Sequence, residues 1–97
     1  MDYKELVNDF SYEELIEAYA GLCKIENIIP VIPLDEDNSL DLNYFSLDIV
    51  EGVFHLYNPF NSTSYTGDTR DMILGKIKPI KAELDKAIKE SIKKIEN

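Results

Sequence analysis

Ninety-seven residues, 44% of them hydrophobic and 10% aromatic, provide material for one core without disulfide or metal staples, so residues 1–97 are expected to form a single domain. A lone Cys23 excludes an internal disulfide, Met1-Asp2-Tyr3-Lys4-Glu5 lacks the basic start and apolar run of a secretory signal, and Asn27–Leu34 is too short to cross a bilayer; together these point to the cytoplasm, away from membranes. The net charge of −9 is unevenly spread, with 13 acidic and 2 basic residues in 1–60 but 6 acidic and 8 basic in 61–97, which disfavours direct nucleic-acid binding and favours a basic protein partner.

Asp2, with Glu5 three residues on, opens a short helix in which Tyr3, Leu6, Val7 and Phe10 recur at helical spacing. Ser11 and Glu14 then form a capping box for a second helix, with Phe10 before the cap placed to staple onto Leu15. Its buried stripe should run Leu15, Ala18, Tyr19, Leu22 and Ile25, with Gly21 weakening it slightly.

From Ile28 the prolines at 30 and 33 favour extended backbone, and if residues 29–34 pair with a sheet they belong on its edge. A polar loop, Asp35–Ser39, follows. Residues 44–58 read as a hairpin turning at Glu51-Gly52: pairing Val50 with Val53 puts Phe45, Leu47, Ile49, Phe54 and Leu56 on one face and Ser46, Asp48, His55 and Tyr57 on the other. Phe45, Ile49, Val53 and Leu56 would also make a helical stripe, but one turn position that sorts both strands favours the hairpin.

Asn58–Gly67 has the composition of a loop. Asp68 is placed to cap a long C-terminal helix in which Ile73, Ile77, Ile80, Leu84, Ile88, Ile92 and Ile95 keep one phase. Pro79 inside it costs about 3 kcal/mol unless the helix kinks there, and the unbroken phase favours one kinked helix over two. The expected class is α+β, a small antiparallel sheet covered by two N-terminal helices and the long C-terminal helix.

No catalytic, cofactor or metal residue is assigned, and the chain is not expected to be an enzyme. His55, the sole histidine, would need Asp48 to orient it and Ser46 or Cys23 within reach, but in the hairpin Asp48 and His55 are simply cross-strand neighbours. Cys23 beside an apolar stripe reads as a small core residue, and one thiol with one imidazole is too few for a structural zinc. Asp35–Asn43 spaces oxygen ligands as a calcium loop does, yet Leu40 stands where glycine is needed and Ser46 where the closing glutamate belongs. Gly67 and Gly75 make no phosphate-binding fingerprint. Lys76, Lys78, Lys81, Lys86, Lys89, Lys93 and Lys94 alternate with Glu83, Asp85, Glu90 and Glu96, the pattern of a solvated helix face.

The acidic front carries the sharpest expectation. Asp9, Glu13, Glu14, Glu17, Asp35, Glu36, Asp37, Asp41 and Asp48 would present a negative surface to a basic protein, such as one that binds nucleic acid; solubility alone is the plainer account of the same charge. The expected function is a non-catalytic inhibitor or immunity-type antagonist, monomeric or homodimeric. The alternative is an assembly module self-associating through the C-terminal helix or a sheet edge. Asp9-Phe10-Ser11-Tyr12-Glu13-Glu14-Leu15-Ile16, continuing to Leu22-Cys23, resembles the first helix of the colicin DNase immunity proteins, acidic inhibitors of similar length. The resemblance implies an all-helical plan, from which the hairpin departs, and no residue roles are carried over from it.

Overall fold

Local signals set the first elements of the computed structural model, which describes residues 3–96. Helix α1 (Tyr3–Asp9) is followed by α2 (Tyr12–Ile28), whose capping box closes in both directions. The Ser11 N–H donates to Glu14 Oε1 at 2.9 Å and the Glu14 N–H to Ser11 Oγ at 3.2 Å. Such a cap is worth about 1 kcal/mol. Leu15, Ala18, Leu22 and Ile25 are fully buried and Tyr19 half-buried, as the stripe requires. Asp2, expected to open α1, lies outside the described residues.

The fold is α+β. A four-stranded antiparallel sheet runs in the order β1 (Asn38–Leu42), β2 (Phe45–Val50), β3 (Val53–Asn58), β4 (Thr63–Gly67), and α3 (Arg70–Glu96) ends the chain. The hairpin register is the one read from the sequence, with Val50 opposite Val53, Ile49 opposite Phe54, Asp48 opposite His55 and Leu47 opposite Leu56. Its inward residues Phe45, Leu47, Ile49, Phe54 and Leu56 are at most 1% exposed. Glu51 and Gly52 both have positive φ, 51° and 78°, the signature of the tight turn that matches strand twist. Asp37 supports that turn by accepting the Glu51 N–H at 3.1 Å.

Four local expectations give way. Residues 29–34 form turns and no edge strand: Ile29 stays in the right-handed helical region despite the following proline, its N–H donates to the Ile25 carbonyl, and the N–H groups of Val31 and Ile32 both donate to Ile28. Burial of Ile29 and Ile32, at 0% and 8% exposure, outweighs the pre-proline preference for extended backbone. The polar Asp35–Ser39 loop ends earlier than expected, because Asn38 and Ser39 begin β1. The loop expected over Asn58–Gly67 contains β4. Both missed strands add to the edges of the hairpin, where half-exposed polar residues are tolerated and the central strands supply the hydrogen-bonding partners. Thr69, one residue later than Asp68, caps α3: the Met72 N–H donates to Thr69 Oγ1 at 3.1 Å.

Helices α2 and α3 pack against one another and cover one face of the sheet, while α1 packs on α3. One buried cluster joins Leu6, the α2 stripe, the inner sheet face and Ile73, Ile77, Ile80, Leu84, Ala87 and Ile88 of α3. At the junction of α1, the β1–β2 turn and the β3–β4 loop, Phe60 meets Phe10 edge-on at 4.6 Å, with Tyr44 and Phe45 at 5.6 and 5.7 Å. Helix α3 passes through Pro79 without interruption, and its 27 residues span about 40 Å in a molecule 50 Å long. Because that exceeds the sheet, the isoleucine stripe is uncovered toward its end, with exposure reaching 37% at Ile92 and 69% at Ile95.

Candidate functional site

The face of the sheet turned away from the helices is covered by no element of the described residues. Period-two alternation and the two-residue turn decide what it displays. Ser39, Asp48, His55 and Thr66 form one cross-strand row, and Asp41, Ser46, Tyr57 and Ser64 the next. Val50 and Val53 stand beside the Glu51-Gly52 turn. Two large apolar groups are open here, Val50 at 46% and Tyr57 at 41% exposure.

Serines hold both carboxylates of the face. Ser39 Oγ donates to Asp48 Oδ1 at 2.6 Å, and Ser46 Oγ donates to Asp41 Oδ1 at 2.8 Å. Asp41 and Asp48 are diagonal neighbours on adjacent strands, about 7–8 Å apart by sheet geometry. The rows also place the histidine candidates of the sequence. Asp48 lies opposite His55 and accepts from Ser39, whereas Ser46, in the next row, directs its proton at Asp41. Cys23, half-buried on α2, lies on the helical side of the sheet, where its neighbour is Lys81, whereas His55 is on the open side. The arrangement therefore joins neither the serine nor the thiol to the imidazole.

Charge follows the layers. Residues 25–69, which contain all four strands, include no lysine or arginine but do include Glu26, Asp35, Glu36, Asp37, Asp41, Asp48, Glu51 and Asp68. Apart from Lys4 and Lys24, every basic residue belongs to α3. Within α3, Lys89 pairs with Asp85 and Lys93 with Glu90 along the helix, and Lys81 pairs with Glu26 of α2 at 2.9 Å. That bond to Glu26 is the chief reason the Lys81 ammonium is held above its ordinary pKa.

The nine carboxylates singled out in the sequence fall into four groups. Asp41 and Asp48 are on the open face. Asp35, Glu36 and Asp37 lead into β1 beside the β2–β3 turn, with Asp37 bonded to the Glu51 backbone. At the opposite end of the strands, about 20 Å away, Glu14 and Glu17 flank the β1–β2 turn, where Asn43 Nδ2 donates to the Glu17 carbonyl at 2.8 Å. Desolvation, reinforced by Glu14 and Glu17, raises the pKa of Tyr44 in that turn. Asp9 and Glu13 lie at the α1–α2 junction, exposed and away from the face. Among the described residues, none of the nine forms an ion pair.

Glu51, Tyr57, Val50 and the two serines join the surface without having been singled out as partner-binding residues. The gap in basic residues was legible in the sequence; its coincidence with the entire sheet emerges only once β1 and β4 are in place. Among the described residues no group of three or more histidine, cysteine or acidic side chains is placed to hold a metal, and no helix is long and apolar enough to cross a membrane. Two open hollows flank α3, one of about 260 Å³ lined by Lys4, Val7, Asn8, Glu90 and Lys94, the other of about 490 Å³ lined by Glu26, Pro30, Asp71, Leu74, Gly75 and Lys78. Both mix charges of each sign and contain neither histidine nor cysteine. No protein-family model, curated protein or solved structure matches the chain, so a functional assignment rests on these residues.

Proposed function

We propose that this chain is a non-catalytic acidic binding protein of the cytoplasm, an inhibitor or immunity-type antagonist that docks on a basic protein, for example one that itself binds nucleic acid. The observation that carries the proposal is the sheet and its turns: residues 25–69 contain no lysine or arginine, and their Asp35, Glu36, Asp37, Asp41 and Asp48 form no ion pair among the described residues. Carboxylates left unpaired project a field beyond the surface, which accelerates encounter with a cationic partner and penalises anionic ones. Segregating the bases onto α3 keeps them from cancelling that field on the sheet side.

Salt is the test. A partner captured from the source cell and identified should be basic, and its affinity measured at about 50 mM and about 500 mM salt should fall at the higher concentration, where the Debye length shrinks to a few ångströms. Equal affinity at both concentrations would overturn electrostatic docking.

Ile92 and Ile95 support a second function, self-association of an assembly module through the end of α3, as does the uncharged edge strand Thr63–Gly67. Sedimentation at micromolar concentration separates the two. A dimer dissociated by Ile92→Ser with Ile95→Ser would establish assembly through the helix, and a strict monomer would exclude it.

A further inference from the structure

Resting on the binding function just proposed, we infer that the docking surface is the open face of the sheet, and that its occupant is a lysine- or arginine-bearing segment of a protein partner lying across Asp41, Asp48 and Tyr57. Three independent properties of the face lead there. It is the side of a four-stranded sheet that no described element covers, and it exposes the Tyr57 ring and Val50 where a fully solvated face would alternate to polar residues throughout. It is electrostatically one-signed: Asp41 and Asp48 lie on it, Asp37 and Glu51 stand at one end, and none of its strands contributes a lysine or arginine. Its carboxylates are already oriented, since Ser46 and Ser39 each bind one oxygen and leave the other available.

These properties suit a cationic side chain in particular. A guanidinium or ammonium can bridge the free oxygens of the two aspartates while its aliphatic stem lies on the Tyr57 ring, combining charge pairing with apolar contact. Val50 and Val53 offer apolar contact to neighbouring residues of the same segment. The acidic side chains at the α1–α2 junction have no such surroundings and act through long-range attraction alone.

The inference is tested with a nona-arginine peptide as probe and the intact chain as receptor, by isothermal titration and by amide chemical-shift mapping at low salt. Shift changes should concentrate on Ser39, Asp41, Ser46, Asp48, His55 and Tyr57. Asp41→Asn with Asp48→Asn, which leaves an oxygen to accept each serine proton, should weaken binding about five- to tenfold. Tyr57→Ser removes the ring under the stem and should weaken binding about two- to fivefold. Asp71→Asn with Glu83→Gln removes the same charge from exposed positions of α3, on the helical side, and should stay within about twofold. Equal losses in the two double variants, or shift changes confined to α2, would overturn the face as the docking site while leaving acidic binding intact. Failure of the unmodified chain to bind the peptide would overturn the proposed function itself. Face shifts that follow protein concentration without peptide would assign the face to a second copy and overturn the inference.

Discussion

Gly21 and Gly75 are both interior helical glycines, and the structure predicts that replacing each with alanine moves stability in opposite directions. Helix propensity alone gives the same answer for both, a gain of about 0.5–1 kcal/mol per substitution. At Gly75 nothing lies within 4 Å of where the new methyl would go, so that gain should appear undiminished. At Gly21 the methyl would sit 2.8 Å from the Leu42 carbonyl oxygen and 3.4 Å from Asn43 Cβ. The obstacle is backbone, and it cannot swing aside: α2 is held by its buried stripe, and the β1–β2 turn is tied to it by the bond from Asn43 to the Glu17 carbonyl. Overpacking of that kind costs about 1–3 kcal/mol, which exceeds the propensity gain and leaves Gly21→Ala destabilised by about 0.5–2 kcal/mol. Urea denaturation followed by far-ultraviolet circular dichroism measures both variants against the parent. In thermal melts of a chain this size each kcal/mol corresponds to about 4–8 °C. A rise in midpoint for both alanines would refute the close approach of α2 to the β1–β2 turn, and with it the placement of Glu14 and Glu17 at that end of the sheet.

Three further outcomes are expected. Glu51→Asn should stabilise the chain by about 0.5–1 kcal/mol, because asparagine tolerates the positive φ that Glu51 now adopts at 51°; a lowered denaturation midpoint would refute the turn type. Stability should be present in full below pH about 10 and decline as pH rises through the raised pKa values of Lys81 and Tyr44, since both groups hold their protons more tightly folded than unfolded. Glu26→Gln should remove the Lys81 part of that alkaline decline, and an unchanged pH profile would show that the pair contributes nothing. Phe60→Ala should cost about 3–5 kcal/mol, because Phe60 is 6% exposed and is the ring that Phe10, Tyr44 and Phe45 all meet; a loss below about 1 kcal/mol by urea denaturation would contradict that packing.

What could be read from residues in order was what neighbouring residues decide among themselves. Ser11 and Glu14 are three positions apart and complete each other's hydrogen bonds whatever surrounds them, so the start of α2 needed no tertiary information. The hairpin register followed from alternation about a single turn, and the phase of α3 from seven aliphatic side chains at steps of three and four. The candidate site was only half legible: Asp41 and Asp48 were named as acidic residues, while Tyr57 and the serines that orient them acquire meaning through strand pairing.

Tertiary structure decided the rest, because the deciding partners are remote in the chain. Asn38–Leu42 and Thr63–Gly67 have little pattern of their own and become strands because the central hairpin offers an edge on either side. Ile29 and Ile32 turn back into the core against the preference that Pro30 and Pro33 impose. Gly21 looks like a weak point in a helix until Leu42 arrives beside it. The carboxylates follow the same division: their number is a property of the sequence, but the sorting of those around the sheet into an open face and two ends exists only after β1 has paired with β2, since a side chain's direction in a sheet is set by the register of its strand.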